Sequence, residues 1–454
     1  MKNIVFITVD SLRADYVSGR KAPESLETLP RMTEEWLTCS TAYANAPYTK
    51  QSFLSILSGS YPWTFESAET GFDPDRGHIA ERLSEAGYAT GGFHSNTYLS
   101  PTYNYDRGFD YYLGRDSGGD EGTESRFASL FNTAVERAVA TEVLSELIYW
   151  TYRNAGKQLG IQLGSNLYKP AEELNQRIVN WTQQQSEPVF VWAHYMDVHN
   201  PYYPHEGTVS EGISRRRAVK LFHKVNEQRS EAAESDINTL ERLYRGEIEY
   251  FDRQLGHLLE RLDETIGLEE TLLVFTSDHG EAFNEKGCVF HPGSALYEEN
   301  THIPVMIDGP DIRGSKIETP VSHIDLVPTI LKRAGVELPE SVDGRDIAGR
   351  DFETASDRVV FTESYDHEDG GLMCTDGEYK LIRDLETGEE VFCRRNAEPE
   401  NINQPDENES VIYDRLAGAL DDHMQSVTDA EVTDTDGDIS ENVRLQLRKL
   451  GYKE

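Results

Sequence analysis

The chain has 454 residues, about three ordinary domain lengths, which predicts one large domain plus a smaller one. Apolar residues make up 37% and charged residues 27%, enough for a sizeable core and too much order for a disordered chain. Lys and Arg total 43 against 81 Asp and Glu, a net charge of −38, which excludes a nucleic-acid backbone or an anionic membrane as main partner because both need basic surface.

The acid is spread along the whole chain and Lys is scarce, as in proteins kept soluble in high salt, where a Debye length of about 3 Å at 1 M leaves little self-repulsion. Cys39, Cys288, Cys374 and Cys393 lie far apart, so no zinc ribbon or disulfide framework is expected and a reduced compartment fits. No apolar run approaches the ~18 residues of a membrane span. The N-terminus enters an apolar run at once, without a small-residue cleavage site, so a cytoplasmic protein without stable membrane insertion is expected.

Ile4–Val9 is a continuous β-branched and apolar run, the pattern of a parallel strand covered on both faces. It ends at Asp10-Ser11. A hydroxyl-rich turn, Tyr48-Thr49-Lys50-Gln51-Ser52, opens a short apolar helix that stops at Gly59. An amphipathic segment from His78 to Gly87 precedes a strand at Tyr88–Phe93, followed by His94. Val189–His194 and Thr271–Thr276 are further buried strands, and Pro304–Ile307 is a short one. Strands alternating with helices imply an α/β fold with a mostly parallel sheet, whose ligands bind outside the strand carboxyl ends. Helical insertions are expected at about 115–180 and 206–245, the second as a solvated helical pair. After about residue 346 short β-rich pieces at Arg358–Glu363, Glu378–Arg383 and Glu390–Cys393 read as a small antiparallel subdomain, closed by an acidic tail. The division is 1–345, catalytic, and 346–454, C-terminal.

Polar chemistry collects at the strand ends. Asp10 either caps a helix or holds a metal. Ser277-Asp278-His279-Gly280-Glu281 sets a carboxylate beside an imidazole, a pair able to hold a divalent metal. His194-Tyr195-Met196-Asp197-Val198-His199 places two His and one Asp within six residues. Thr49 at a helix N-terminus is either a cap or a nucleophile, since N–H groups and the helix dipole there favour an anion.

Together these segments resemble the sulfatase family of the alkaline phosphatase superfamily. Val9-Asp10-Ser11-Leu12-Arg13-Ala14-Asp15 resembles its first metal motif, Ala46-Pro47 through Gly59 its nucleophile segment, His194–Tyr202 its "H-x-M-D-x-H-x-P-Y" strand end, and Ser277–Glu281 its second metal motif. Val321–Leu331 and Asp343-Gly344-Arg345 resemble later landmarks, and Gly377–Ile382 the start of its C-terminal hairpin. The resemblance implies an alkaline phosphatase-like sheet sandwiched by helices, with a small C-terminal antiparallel α+β subdomain. Two departures stand out. Ser11 replaces the usual second acid, and the position converted to formylglycine in sulfatases falls on Thr49, in Thr-Lys-Gln-Ser-Phe. An unmodified Thr has no second hydroxyl to expel sulfate, whereas phospho-Thr can be opened at phosphorus.

The substitution points to the superfamily's Thr-nucleophile phosphodiesterases and phosphotransferases. It implies one or two zinc or manganese ions, or alternatively calcium or magnesium, on Asp10, Thr49, Asp278 and His279. It also implies Thr49, His199 and His291 as catalytic residues, with Lys50 and His94 as candidates for substrate contact. Arg13 is expected to brace the Asp10 loop, and His323 and Asp325 to be structural. The expected substrate is a small anionic ester or a glycan or lipid headgroup, with a sulfate ester as the alternative. An anion-binding module with little turnover is the reading from another class.

Overall fold

The computed structural model describes residues 2–65, 71–73, 76–113, 168–312, 314–339, 341–349, 352, 357–364 and 370–433. Most of the 115–180 insertion and the end of the acidic tail fall outside these residues. At the centre, β1 (Asn3–Val9) lies between β6 (Val189–Tyr195) and β7 (Thr271–Ser277), parallel to both. The sheet extends on one side through β4 (Ala89–Phe93) to β5 (Tyr111–Tyr112). On the other it runs through β10 (Val305–Asp308) and β2 (Leu37–Cys39) to β11 (Lys316–Ile317). Only β10 runs against its neighbours, so the eight-stranded sheet is mostly parallel, as expected.

The apolar runs are continuous because both faces are covered. Val5, Ile7 and Val9 enter one core, and Ile4 and Phe6 enter the other. Residues 272–275 and 189–193 split in the same alternating way. The first core is roofed by α4 (Ala171–Thr182), α5 (Arg215–Gln228) and α6 (Glu234–Ile266). The second holds α2 (Thr49–Ser58), α3 (Ile79–Glu85) and α8 (Leu326–Ala334); α1 (Thr28–Glu35) lies against α6, and α7 (Glu298–Thr301) precedes β10. The expectation of a solvated pair at 206–245 is corrected here. The second helix is 33 residues long, runs to Ile266 and buries Leu240, Leu243, Tyr244, Ile248, Phe251, Leu255, Leu258 and Leu262. Its apolar stripe at three- and four-residue spacing extends past the window in which charge dominates.

The C-terminal strands β13 (Val360–Ser364), β14 (Gly371–Thr375), β15 (Tyr379–Asp384) and β16 (Glu390–Arg394) form an antiparallel sheet in chain order. Leu416 and Leu420 of α9 (Glu407–Thr433) pack on Leu372, Leu381 and Phe392. The sheet is joined to the large domain through fully buried Lys380. Its ammonium reaches Glu398 Oε1 at 2.9 Å and Glu298 Oε1 at 3.1 Å. Among the described residues no helix is long and apolar enough to cross a membrane.

Candidate active site

The register of the three central strands builds the site. Val9 is level with Tyr195 on one side and Ser277 on the other, so Asp10 and Asp278 leave neighbouring strands at the same height, with His194 beside them. Asp10 caps no helix, because the short helical turn at Ala14–Tyr16 begins from Arg13 without side-chain capping. Asp278 is followed by a turn into β8 (Ala282–Phe283), and its Oδ1 accepts from the Ser11 and His279 N–H groups at 3.1 and 2.8 Å. Ser11 sits at φ 61, in the left-handed region, which turns its N–H to Asp278 while its hydroxyl donates to Asp10 Oδ1 at 2.7 Å. The residue standing where a second acid was expected thus tethers both carboxylates.

Thr49 is the first residue of α2, whose cap is Tyr48, so its hydroxyl is spare. It lies 3.3 Å from Asp10 Oδ2 and 3.3 Å from His279 Nε2. Ser52 holds the approach by donating to Ala46 O, and Gly59, at φ 79, ends the helix against Val327 and Val342. His279 Nδ1 lies 2.8 Å from the Gly280 carbonyl, which fixes the tautomer and leaves an Nε2 lone pair facing Thr49, 3.5 Å from Asp278 Oδ2.

His194 completes the cluster, although sequence reasoning gave it no role. Thr8 Oγ1 donates to Ala193 O, so it accepts from Trp192 Nε1 at 3.2 Å and from His194 Nδ1 at 3.1 Å. The His194 Nε2 lone pair then faces Asp10 Oδ2 at 3.5 Å without a partner. Asp278 Oδ2 is likewise buried and unpartnered. Asp10, His194 and Asp278 offer ligand atoms within 4.8 Å of one another. Such a group of fully buried acceptors fits a cation and little else. Burial opposes ionisation of Asp10, but the surrounding His199, His194 and His279 hold it well below the usual carboxylate range. Burial, and then the Asp10 charge, push Asp278 up. Burial pushes His279 down to about 3, so it stays a neutral ligand. Asn96 Nδ2, 3.3 Å from Asp10 Oδ2, comes from the end of β4 and was also missed.

On the open side, His291 Nδ1 lies 3.0 Å from Glu281 Oε1, and Glu281 Oε2 accepts from the Tyr202 hydroxyl at 2.5 Å. The His291 ring is 4.5 Å from that of His279 and 5.2 Å from that of His199. Burial acts against its charged form, but Glu281 more than compensates and raises it. Burial lowers His199, whose Nδ1 is buried without a partner. Lys50 turns its ammonium over Tyr103 at 5.6 Å. His94 is buried against Tyr112 and Trp192, at 4.8 and 5.7 Å, and burial pushes it down to about 3. Arg13 holds the Glu281 carbonyl at 3.0 Å and pairs with Asp15 and Glu285. His323 spans Ser277 O and the Asn45 N–H, while Asp325 accepts from Ser322 and Arg358, so both are structural.

The family model described as Sulfatase matches residues 2–336. The chain belongs to the sulfatase family. Within it, the chain is 25% identical over 463 residues to the uncharacterized sulfatase YidJ of Escherichia coli (strain K12), covering 94% of this chain and 88% of that one. A 25% match to the choline-sulfatase of Rhizobium meliloti (strain 1021) covers 43% of each chain. Among solved structures the phosphonate monoester hydrolase of Silicibacter pomeroyi has the same fold, with TM-score 0.68, 20% identity and coverage of 94% and 96%. This sulfatase-family chain is therefore an ester hydrolase of the alkaline phosphatase superfamily, and the buried donor set at its strand ends fits the metal dependence of that family.

Proposed function

We propose that the enzyme cleaves or transfers phosphoryl-type esters through a covalent bond to Thr49. The observation that carries this reading is the Thr49 hydroxyl at a helix N-terminus, 3.3 Å from two acceptors, Asp10 Oδ2 and His279 Nε2. That setting polarises the hydroxyl toward loss of its proton. Asp10, Asp278 and His279, with His194 and the Thr49 oxygen, are the groups that would hold the metal. When bound, a divalent cation there supplies positive charge that lowers the hydroxyl's pKa and offsets charge on the ester oxygens.

Thr49 passes its proton to Asp10 Oδ2, 3.3 Å away, and attacks phosphorus in line. The Thr49 O–P bond forms, the bond to the leaving oxygen breaks, and His291, held by Glu281, donates a proton to that oxygen. N–H groups at the start of α2 face the developing charge. His199 closes the other side and orients the non-bridging oxygens. Water or an acceptor alcohol, giving its proton to His291, then attacks phosphorus, the Thr49 O–P bond breaks, and Thr49 takes its proton back from Asp10. Lys50 is assigned to substrate contact at the margin, whereas His94, buried against Tyr112 and Trp192, takes no part.

A second reading, hydrolysis of sulfate esters, is favoured by the curated relatives, which are named sulfatases. The single oxygen of Thr49 argues against it, because no second hydroxyl is present to expel sulfate. A panel of p-nitrophenyl sulfate, bis-p-nitrophenyl phosphate and an aryl phosphonate monoester, each with Zn²⁺, Mn²⁺ or Ca²⁺, separates the two. Turnover of a phosphorus ester with inhibition by phosphate is expected. Turnover of the sulfate alone would reverse the assignment.

A further inference from the structure

We infer that Tyr168 is a further substrate-contacting residue, whose phenol hydroxyl donates a hydrogen bond to an anionic oxygen of the ester beside His199. This deepens the function proposed above and rests on it.

The groups that meet at the strand ends are mostly acceptors. Asp10, Asp278, His194 and His279 turn carboxylate oxygens or ring lone pairs inward, which suits a cation and repels the oxygens of an anionic ester. Those oxygens need hydrogen-bond donors, and Tyr168 is placed to be one.

Three contacts put it there. Its ring stands edge-on to that of His199, with 5.6 Å between centroids, and the His199 ring is 5.2 Å from that of His291. With His279 beyond, the four rings form a row that leads to the metal ligands. The next residue, Lys169, donates its N–H to Ser95 Oγ at 3.0 Å, and Ser95 precedes the Asn96 whose amide holds Asp10. Ala171 donates its N–H to Asp197 Oδ1 at 3.0 Å, two residues before His199. The segment entering α4 is thus laced to the loops at the carboxyl ends of both β4 and β6.

The hydroxyl faces inward. Burial pushes the phenol up, and the charge that adds most to this is Asp10, ahead of any acid in its own segment. Tyr98 and Tyr203 act on it after that. The phenol therefore stays protonated, a donor and never a base. Among the described residues the hydroxyl has no hydrogen-bond partner, and the side chain is only partly buried, so a ligand can reach it. The plain alternative is a wedge that packs against His199, a role that needs the ring and not the oxygen.

Removing the oxygen alone separates the two. The test is titration of the full-length protein, supplied with Zn²⁺, with inorganic phosphate, followed by calorimetry and by tyrosine difference absorbance. The unsubstituted protein should bind phosphate and show a tyrosine signal. Tyr168→Phe, which keeps the ring, should bind roughly tenfold or more weakly, the worth of a hydrogen bond to a charged group, and should lose the signal. Tyr88→Phe removes another unpartnered buried hydroxyl, at the opposite end of β4 from the site, and should keep both. Thermal melts check that both variants fold.

Unchanged affinity in Tyr168→Phe, a signal that survives there, an equal loss in Tyr88→Phe, or no phosphate binding by the unsubstituted protein would overturn the inference. The underlying reading fails separately, if the unsubstituted enzyme binds phosphate as expected yet turns over none of the phosphorus esters.

Discussion

At the residue scale, the site pairs groups whose surroundings push them to opposite protonation states. His279 is buried and kept neutral at about 3, while His291, a ring's width away, is raised by Glu281. One suits a ligand and the other a proton donor. His291→Gln should lower kcat by roughly 100-fold, the usual worth of a positioned acid. The loss should be smallest for esters with good leaving groups; an equal loss across leaving groups would assign His291 to binding instead. Behind the site, burial raises Glu285 but Arg13 and Lys21 outweigh it, holding the carboxyl down at about 2. A carboxyl depressed in the folded state adds stability above its unfolded pKa, near 4.5, and that contribution disappears as pH falls toward 2. With about a quarter of the side chain exposed, Glu285→Gln should cost about 1–2 kcal/mol at neutral pH and almost nothing near pH 2. Denaturant melts across that range check the sign, and a penalty growing on acidification would be contrary to it.

At the element scale, the turn after β7 owes its shape to a close approach. A Cβ on Gly280 would lie 2.0 Å from the Glu299 carbonyl oxygen, a backbone atom that cannot step aside. Gly280→Ala should therefore destabilise by about 2 kcal/mol and displace His279, lowering metal affinity together with the melting temperature. A melt unchanged from the parent would show that the turn tolerates the methyl. The same elements show what the sequence made legible. Ile4–Val9, Val189–His194 and Thr271–Thr276 announce themselves because doubly covered strands leave uninterrupted apolar runs, and the acids after the first and last of them marked the candidate site. Thr49 was singled out through the family resemblance, counted back from Gly59, because the hydroxyl-rich turn by itself reads more simply as a helix cap. His194 was not, because an imidazole on a buried strand looks like core until the register with Thr8 shows which nitrogen is left unpaired. Asn96 was missed because it acts through one hydrogen bond to Asp10, and the part played by Ser11 because its link to Asp278 exists only in the folded chain.

At the scale of the whole molecule, a charge of −38 makes stability a function of ionic strength. If the acidic excess is an adaptation to salt, the melting temperature should rise by several degrees between about 0.1 and about 1 M NaCl, as the screening length falls from about 10 to about 3 Å. A flat response would assign the acid to ordinary solubility. All of these features serve one centre, the threonine oxygen set among Asp10, Asp278, His194 and His279 at the carboxyl ends of three parallel strands. The most direct test is peptide mapping by mass spectrometry of enzyme quenched during turnover of a phosphorus ester. A phosphoryl group on Thr49, absent from Thr49→Ala, is the predicted result, together with a fall in that variant's turnover of roughly a thousandfold or more. An adduct on another residue, or a Thr49→Ala enzyme that turns over at the parent rate, would contradict the account.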